Sequence, residues 1–179
     1  MKAAWLYDSK IRRTSDPNDQ PKRDPETQRT LCAEVEVNGI KAYTLFDTGC
    51  TTDAISPELA YLAKADRVDL KEQINLQLGT KGSRTTINYG ALPRIRIGPI
   101  DGVNYMDVVD IDRYDVVLGT TFCNEHNVVL DFRKREIWID GVAIPAYTAI
   151  QEAEVLGQRR DHRQNRLAAH LRAATTSRH

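Results

Sequence analysis

From residue 31 the chain alternates, and the alternation limits what it can become. Leu31, Ala33, Val35 and Val37 fall on one side and Cys32, Glu34 and Glu36 on the other, the period of a half-buried strand. Asn38-Gly39 follows, a pair whose residues accept positive φ and so close tight hairpins, and residues 41–46 return as a second strand. The texture recurs. Ile74, Leu76 and Leu78 alternate with Asn75 and Gln77, Gly79-Thr80-Lys81-Gly82-Ser83 breaks the run, and residues 84–89 resume it, which predicts a hairpin with a glycine-flanked tip. Residues 92–97 and 103–111 pair around Gly98-Pro99-Ile100-Asp101-Gly102. Val116-Val117-Leu118 is an apolar strand ended by Gly119, and residues 128–132 and 136–139 turn on Arg133-Lys134-Arg135.

Helical signals are short. Ser56 as a cap and Pro57 at the first helical position precede Leu59, Leu62 and Ala63, and a second short helix fits residues 120–125. About nine strands between residues 31 and 147 predict an all-β, mainly antiparallel domain, closed like a barrel because no helix is large enough to cover a sheet.

The flanks differ from this domain. Residues 1–30 are rich in charge, with Pro17, Pro21 and Pro25, and predict a disordered leader with little to bury. Residues 148–179 predict a partly helical tail, with Leu167, Leu171 and Ala174 on one face and Arg160, Arg163, Arg166 and Arg172 around it. Net charge is zero, which argues against a polyanion-binding protein by bulk charge. The basic C-terminal tail is nevertheless a candidate contact for nucleic acid or an acidic surface, although such helices are more often solvated or packed on a partner. Cys32, Cys50 and Cys123 are odd in number and lack metal-ligand spacing, so neither a disulfide framework nor a metal site is expected, and a reducing, intracellular setting is the simpler reading. The start is too short in apolar residues for a secretory signal, and no run reaches the length of a membrane span.

One tripeptide carries chemistry. Asp47-Thr48-Gly49 ends the apolar strand Tyr43-Thr44-Leu45-Phe46 and is followed by Cys50-Thr51-Thr52 and then Ala54-Ile55. Alone it is weak evidence, since such a tripeptide, allowing Ser for Thr, arises by chance in roughly a tenth of chains this long. Context strengthens it: some seventy residues later Tyr114-Asp115-Val116-Val117-Leu118-Gly119 repeats the strand-then-glycine form. The sequence here resembles the retropepsins, the single-lobe aspartic proteases of retroviruses and long-terminal-repeat retrotransposons and their cellular relatives. The resemblance runs from Leu31 to about Asp140. It rests on Leu45-Phe46-Asp47-Thr48-Gly49-Cys50, on Val117-Leu118-Gly119, on the hairpin between them, and on Val128-Val129-Leu130-Asp131-Phe132 followed by Glu136-Ile137-Trp138-Ile139.

The resemblance implies a domain over residues 31–147 with the retropepsin fold, acting as a homodimer on a peptide or polyprotein without a cofactor. It makes Asp47, Thr48 and Gly49 the catalytic motif. Substrate contacts would come from Leu45, Cys50, Thr51 and Ala54 on the floor, Val117 on the wall and the flap tip Lys81-Gly82 above. The chemistry suits the residue types. Amide hydrolysis needs one group to take a proton from water and another to give one, and two facing carboxyls sharing a proton supply both. Gly49 allows the sharp turn, and the Thr48 hydroxyl is expected to brace the loop locally. Only one Asp-Thr-Gly is present, so the second carboxyl must come from a second copy across a two-fold axis. The sequence departs from many retroviral members at Thr51 and at Thr120-Thr121-Phe122, where an inter-loop ion pair would stand. The competing reading is a non-catalytic module of the same fold, a fragment of a retrotransposon polyprotein kept for dimerisation or nucleic-acid contact.

Overall fold

The structure, a computed structural model, describes residues 22–77 and 84–160. The remainder of the leader, the hairpin tip with Lys81 and Gly82, and the tail from residue 161 lie outside the described residues. In the first unit, residues 22–30 contain one exposed 3₁₀ turn, Pro25–Gln28, whose cap Asp24 accepts the Glu26 N–H at 3.0 Å.

The second unit begins at Leu31. Asn38 (φ 46°) and Gly39 (φ 84°) close the hairpin of β1 (Cys32–Val37) and β2 (Ile40–Phe46), in register from Val37 opposite Ile40 to Cys32 opposite Leu45. Asn38 also ties distant segments: its Nδ2 donates to the Ala63 carbonyl at 2.9 Å and its Oδ1 accepts the Arg94 N–H at 2.7 Å. After β2 the chain loops through residues 47–53 into the short β3 (Ala54–Ile55). Ser56 then caps α1 (Pro57–Leu62) as expected, its hydroxyl accepting the Leu59 N–H at 3.2 Å. The long hairpin is β4 (Asp66–Gln77) and β5 (Arg84–Leu92). Next come β6 (Arg94–Ile97), β7 (Ile100–Val103), β8 (Met106–Val108), β9 (Val116–Leu118), α2 (Thr120–Glu125), β10 (Val129–Asp131), β11 (Glu136–Ile139) and β12 (Val142–Pro145).

Among the described residues nine strands form one sheet in the order β4-β5-β8-β3-β9-β2-β1-β6-β7, and β10-β11-β12 form a second. The expected all-β, single-lobe architecture is present, its main sheet curled into a half-barrel with β4 and β7 as end strands. Pairing is mostly antiparallel, with two parallel exceptions, β2 with β9 and β3 with β8. These exceptions place the site. Because β9 lies between β2 and β3, the loop that leaves β2 must pass around the end of β9 before returning as β3. Asp47 and Gly119, each the residue after its strand, therefore end at one edge of the sheet.

Several elements differ from the sequence reading. The segment 98–102 is not one broad turn: the chain reverses at Gly98 (φ 51°) and Pro99, and Ile100–Val103 already runs back as β7. The stretch 103–111 then divides, because β8 leaves the hairpin to pair with β5 and β3. Two strands were not anticipated, β3 and β12, the latter entered through a tight turn at Asp140 (φ 44°) and Gly141 (φ 81°).

The core lies between the sheet faces and α2. Leu31, Val35, Val37, Ile55, Ile95, Met106, Val116, Leu118, Phe122, Ile137 and Ile139 are fully buried. Phe122 meets Phe46 edge-on with ring centres 6.3 Å apart. Burying each such side chain stabilises the fold by about 1.5–3 kcal/mol, so α2 is fixed mainly by Phe122. Beyond the domain, residues 149–160 are helical. Thr148 and Gln151 form a reciprocal cap there, with bonds of 3.2 and 2.9 Å. Arg159 on this helix donates to the Arg113 carbonyl at 2.5 Å and pairs with Asp115.

Candidate active site

Asp47 takes its place from β2 and β9 together. Its N–H donates to the Leu118 carbonyl at 3.0 Å, extending the parallel pairing by one bond. The chain then turns sharply: the Cys50 N–H donates to the Asp47 carbonyl at 3.1 Å, and the Gly49 N–H to Asp47 Oδ1 at 2.8 Å. A Cβ on Gly49 would stand 3.1 Å from that oxygen, so the turn favours a residue without a side chain. The Asp47 carboxylate is half-buried, and Thr48 and Gly49 are exposed at the rim. Two threonine hydroxyls tie this loop to its surroundings. Thr52 Oγ1 donates to Asp107 Oδ2 at 2.6 Å, and Thr121 Oγ1 to the Thr51 carbonyl at 3.1 Å.

The two motif loops interlock. Thr120 N–H reaches the Cys50 carbonyl at 2.8 Å, and Gly119 N–H reaches Asp53 Oδ1 at 2.8 Å. A Cβ on Gly119 would lie 2.3 Å from the Thr52 carbonyl and 2.6 Å from that of Cys50, so glycine is what allows the loops to touch. These contacts join the two loops through backbone groups and one buried carboxylate.

The residues expected to touch substrate are partly gathered. Leu45, Val117 and Ala54 stand side by side on β2, β9 and β3 and so share one face of the sheet. Leu45 is half-buried, whereas Val117 and Ala54 are 9% and 3% exposed. Thr51 is exposed. Cys50 is half-buried, its Sγ 3.2 Å from the Thr52 carbonyl. Burial pushes its thiol above the ordinary cysteine value, which suits a space-filling residue and not a reactive thiolate. The hairpin that leads to Lys81 and Gly82 keeps register to Gln77 opposite Arg84, with a shift between Asp69 and Ile74.

Sequence reasoning passed over Asp53, Asp107, Tyr105 and Gly90. Asp53 and Asp107 are 4% and 5% exposed, and burial raises the Asp53 carboxyl above the usual aspartate range against two lowering backbone bonds. The Tyr105 hydroxyl donates to Asp107 Oδ1 at 2.9 Å, and burial with this bond pushes the phenol up to about 12. The ring lies so close to β5 that a Cβ on Gly90 would be 2.4 Å from it. Two signals were present: a charged residue directly before Ala54-Ile55, and a glycine inside a strand pattern, which marks a close approach. Among the described residues no cluster of three His, Cys, Asp or Glu side chains is placed to hold a metal ion, and no helix is long and apolar enough to cross a membrane.

The family model described as aspartyl protease matches residues 33–122, half of the 179-residue chain. DNA damage-inducible protein 1 of Chaetomium globosum is 28% identical over 119 residues, which cover 66% of this chain and 27% of that protein. The chain thus spans about a quarter of its relative's length. Among solved structures, the retroviral protease-like domain of Ddi1 from Leishmania major matches with a TM-score of 0.51 at 13% identity, over 68% of this chain and 96% of that one. The EIAV protease complexed with the inhibitor HBY-793 matches with a TM-score of 0.41 at 18% identity, over 55% and 88%. The Leishmania domain shares the fold. With half its length matched by the family model and a retropepsin-like fold around the motif, the chain belongs to the aspartyl protease family.

Proposed function

We propose that the chain is a homodimeric aspartic endopeptidase in which Asp47 of each copy supplies one half of the catalytic pair. The observation that carries this reading is the setting of Asp47. Its carboxylate is half-buried at the sheet edge, with Oδ1 held by the Gly49 N–H at 2.8 Å, which leaves Oδ2 to share a proton with a facing carboxyl. Two such groups cannot both ionise at close range, so the pair holds one proton between them. The ionised member draws a proton from water as its oxygen attacks the peptide carbonyl, and the protonated member delivers its own to the carbonyl oxygen. As the tetrahedral intermediate collapses the C–N bond breaks, the amine leaves with a proton from the pair, and one hydroxyl of the intermediate returns its proton to the pair as the new carbonyl forms, which restores the single shared proton.

Dimerisation is proposed through the second sheet. Strand β10 is an end strand, and its first residue Val129 and Phe132 just after it are 60% and 59% exposed, apolar area that a second copy would cover. The substrate would lie as an added strand beneath the β4–β5 hairpin, with Leu45, Thr51, Ala54 and Val117 below it. No cofactor enters the scheme.

The test is cleavage of a peptide library at pH 4–7 by the purified chain and by Asp47→Asn, with sedimentation of both. Cleavage by the wild type alone is expected, with both proteins dimeric. Comparable cutting of the same bonds by Asp47→Asn would overturn the mechanism, and a dimer without cleavage would favour a non-catalytic module.

A further inference from the structure

The scheme above gives Asp53 no task, yet a carboxyl buried to 4% exposure is costly to keep without one. Its Oδ1 accepts the N–H of Gly119 at 2.8 Å and of Phe122 at 3.4 Å. The titratable groups that face it are Glu125 and Cys123 from α2, Asp107 from β8 and Cys50 from its own loop, acids throughout. The Gly119 N–H belongs to the peptide group whose carbonyl, that of Leu118, accepts the Asp47 N–H at 3.0 Å. A trans peptide points its N–H and C=O in opposite directions within one plane. Asp53 and the Asp47 backbone thus grip this single plane from its two sides, and turning the plane breaks both bonds together.

We propose that Asp53 is a positioning residue: its carboxylate fixes the Leu118–Gly119 peptide group, through it the backbone of Asp47, and the loop loosens when Asp53 takes up a proton. The bracing stands on geometry, and its catalytic consequence rests on the proposed protease function. An ionised acceptor makes a stronger bond to an N–H than a neutral one, so protonation weakens the grip without removing the oxygen. Burial raises the Asp53 carboxyl above the usual aspartate range, so the grip weakens at a pH where exposed aspartates are still charged.

Amide exchange and chemical shifts, followed by NMR on the full chain from pH 3 to 7, test this in the wild type, Asp53→Asn and Asp53→Ala. In the wild type the Gly119 and Phe122 amides should titrate together, with one midpoint above the ordinary aspartate value, and the Asp47 amide should follow them. The shared titration should vanish in Asp53→Asn. In Asp53→Ala the Gly119 and Asp47 amides should exchange at least tenfold faster while Val35 in β1 keeps its protection. Unchanged exchange at Asp47 in Asp53→Ala, or no common titration in the wild type, would overturn the proposal. If Asp53→Ala does not fold, the comparison of wild type with Asp53→Asn decides. Where the wild type cleaves peptides, Asp53→Asn should keep its KM, and the acid limb of kcat should move to lower pH. Superimposable pH profiles would refute the catalytic consequence. A wild type that cleaves nothing sinks the protease reading instead, and the amide data still decide the role of Asp53.

Discussion

Asp47 and Asp53 hold opposite sides of one peptide group, Asp47 through its N–H on the Leu118 carbonyl at 3.0 Å and Asp53 through Oδ1 on the Gly119 N–H at 2.8 Å. The arrangement follows from topology. Strand β9 lies between β2 and β3, so the loop from Asp47 to Asp53 wraps the end of β9 and meets the peptide that ends it from both directions.

That wrap leaves no room for a side chain at Gly119. Its Cβ would meet two backbone carbonyls, at 2.3 and 2.6 Å, and neither can swing aside as a side-chain tip could. Gly119→Ala should therefore separate the loops, at a cost of about 1–3 kcal/mol of the kind seen for overpacking. Urea unfolding should show the loss as a lower midpoint, and a stability equal to wild type would mean that the loops yield freely.

The Asp53 charge is a net cost to the fold even as it orders the loop. Its folded pKa is raised by burial, so between the unfolded and folded values the native state binds more protons than the unfolded one. Stability contributed by this group is therefore greatest below the unfolded value and falls as pH rises through the folded one. Other carboxyls titrate in the same range, and comparison with Asp53→Asn removes them. Measured by urea unfolding across pH 3–7, the variant should gain on the wild type as pH rises through that window. A difference independent of pH would contradict the assigned burial effect.

Gly90 and Tyr105 form a second close approach, with a different remedy. The atoms that a Cβ on Gly90 would strike belong to the outer end of the Tyr105 ring, and that side chain is 40% exposed. Gly90→Ala should push the ring outward and break its bond to Asp107. The Tyr105 phenol, now pushed up to about 12, should then titrate nearer the ordinary tyrosine value of about 10. Ultraviolet titration of tyrosinate, with Tyr105→Phe identifying the signal, reads the change. A phenol that stays at its present value would show that the strand moved and the ring did not.

Local pattern makes much of this structure legible in the sequence. Asn38-Gly39 announced a hairpin because its residues accept positive φ, and Ser56-Pro57 announced a helix start because a cap and a fixed φ are local properties. Asp47-Thr48-Gly49 stood out through the apolar strand before it. Non-local pairing was hidden. Nothing in Val116-Val117-Leu118 says that it will lie parallel to β2, and a two-residue strand such as Ala54–Ile55 exists only because β8 and β9 flank it. The turn at Gly98 was read too broadly because Gly102 and Asp101 look like turn residues. Asp101 is in fact a cross-strand partner of Arg96, and it holds Arg94 Nε at 2.7 Å. Asp53 closes a polar stretch, Cys50-Thr51-Thr52-Asp53, that carries no local sign of burial, and only the wrap around β9 buries it.

The last prediction separates a shared catalytic pair from two independent sites. If each site needs one Asp47 from each copy, a chain carrying Asp47→Asn does more than fail by itself, because it captures a wild-type partner and disables it. Both chains keep the same surface at Val129 and Phe132, so they should associate without preference in an isologous dimer. Let wild type make up a fraction of the mixture after exchange of partners. Fully paired sites then form as the square of that fraction, so an equal mixture holds about a quarter of its dimers as wild type with wild type. At fixed total concentration, high enough to keep the chains dimeric, the cleavage rate should fall along that square as Asp47→Asn replaces wild type. Phe132→Asp introduced into the Asp47→Asn chain should remove the effect by preventing capture, and the rate should then depend on the wild-type chains alone. A linear fall with unmodified Asp47→Asn chains that demonstrably exchange partners would mean that one Asp47 suffices, and the two-carboxyl mechanism would have to be given up.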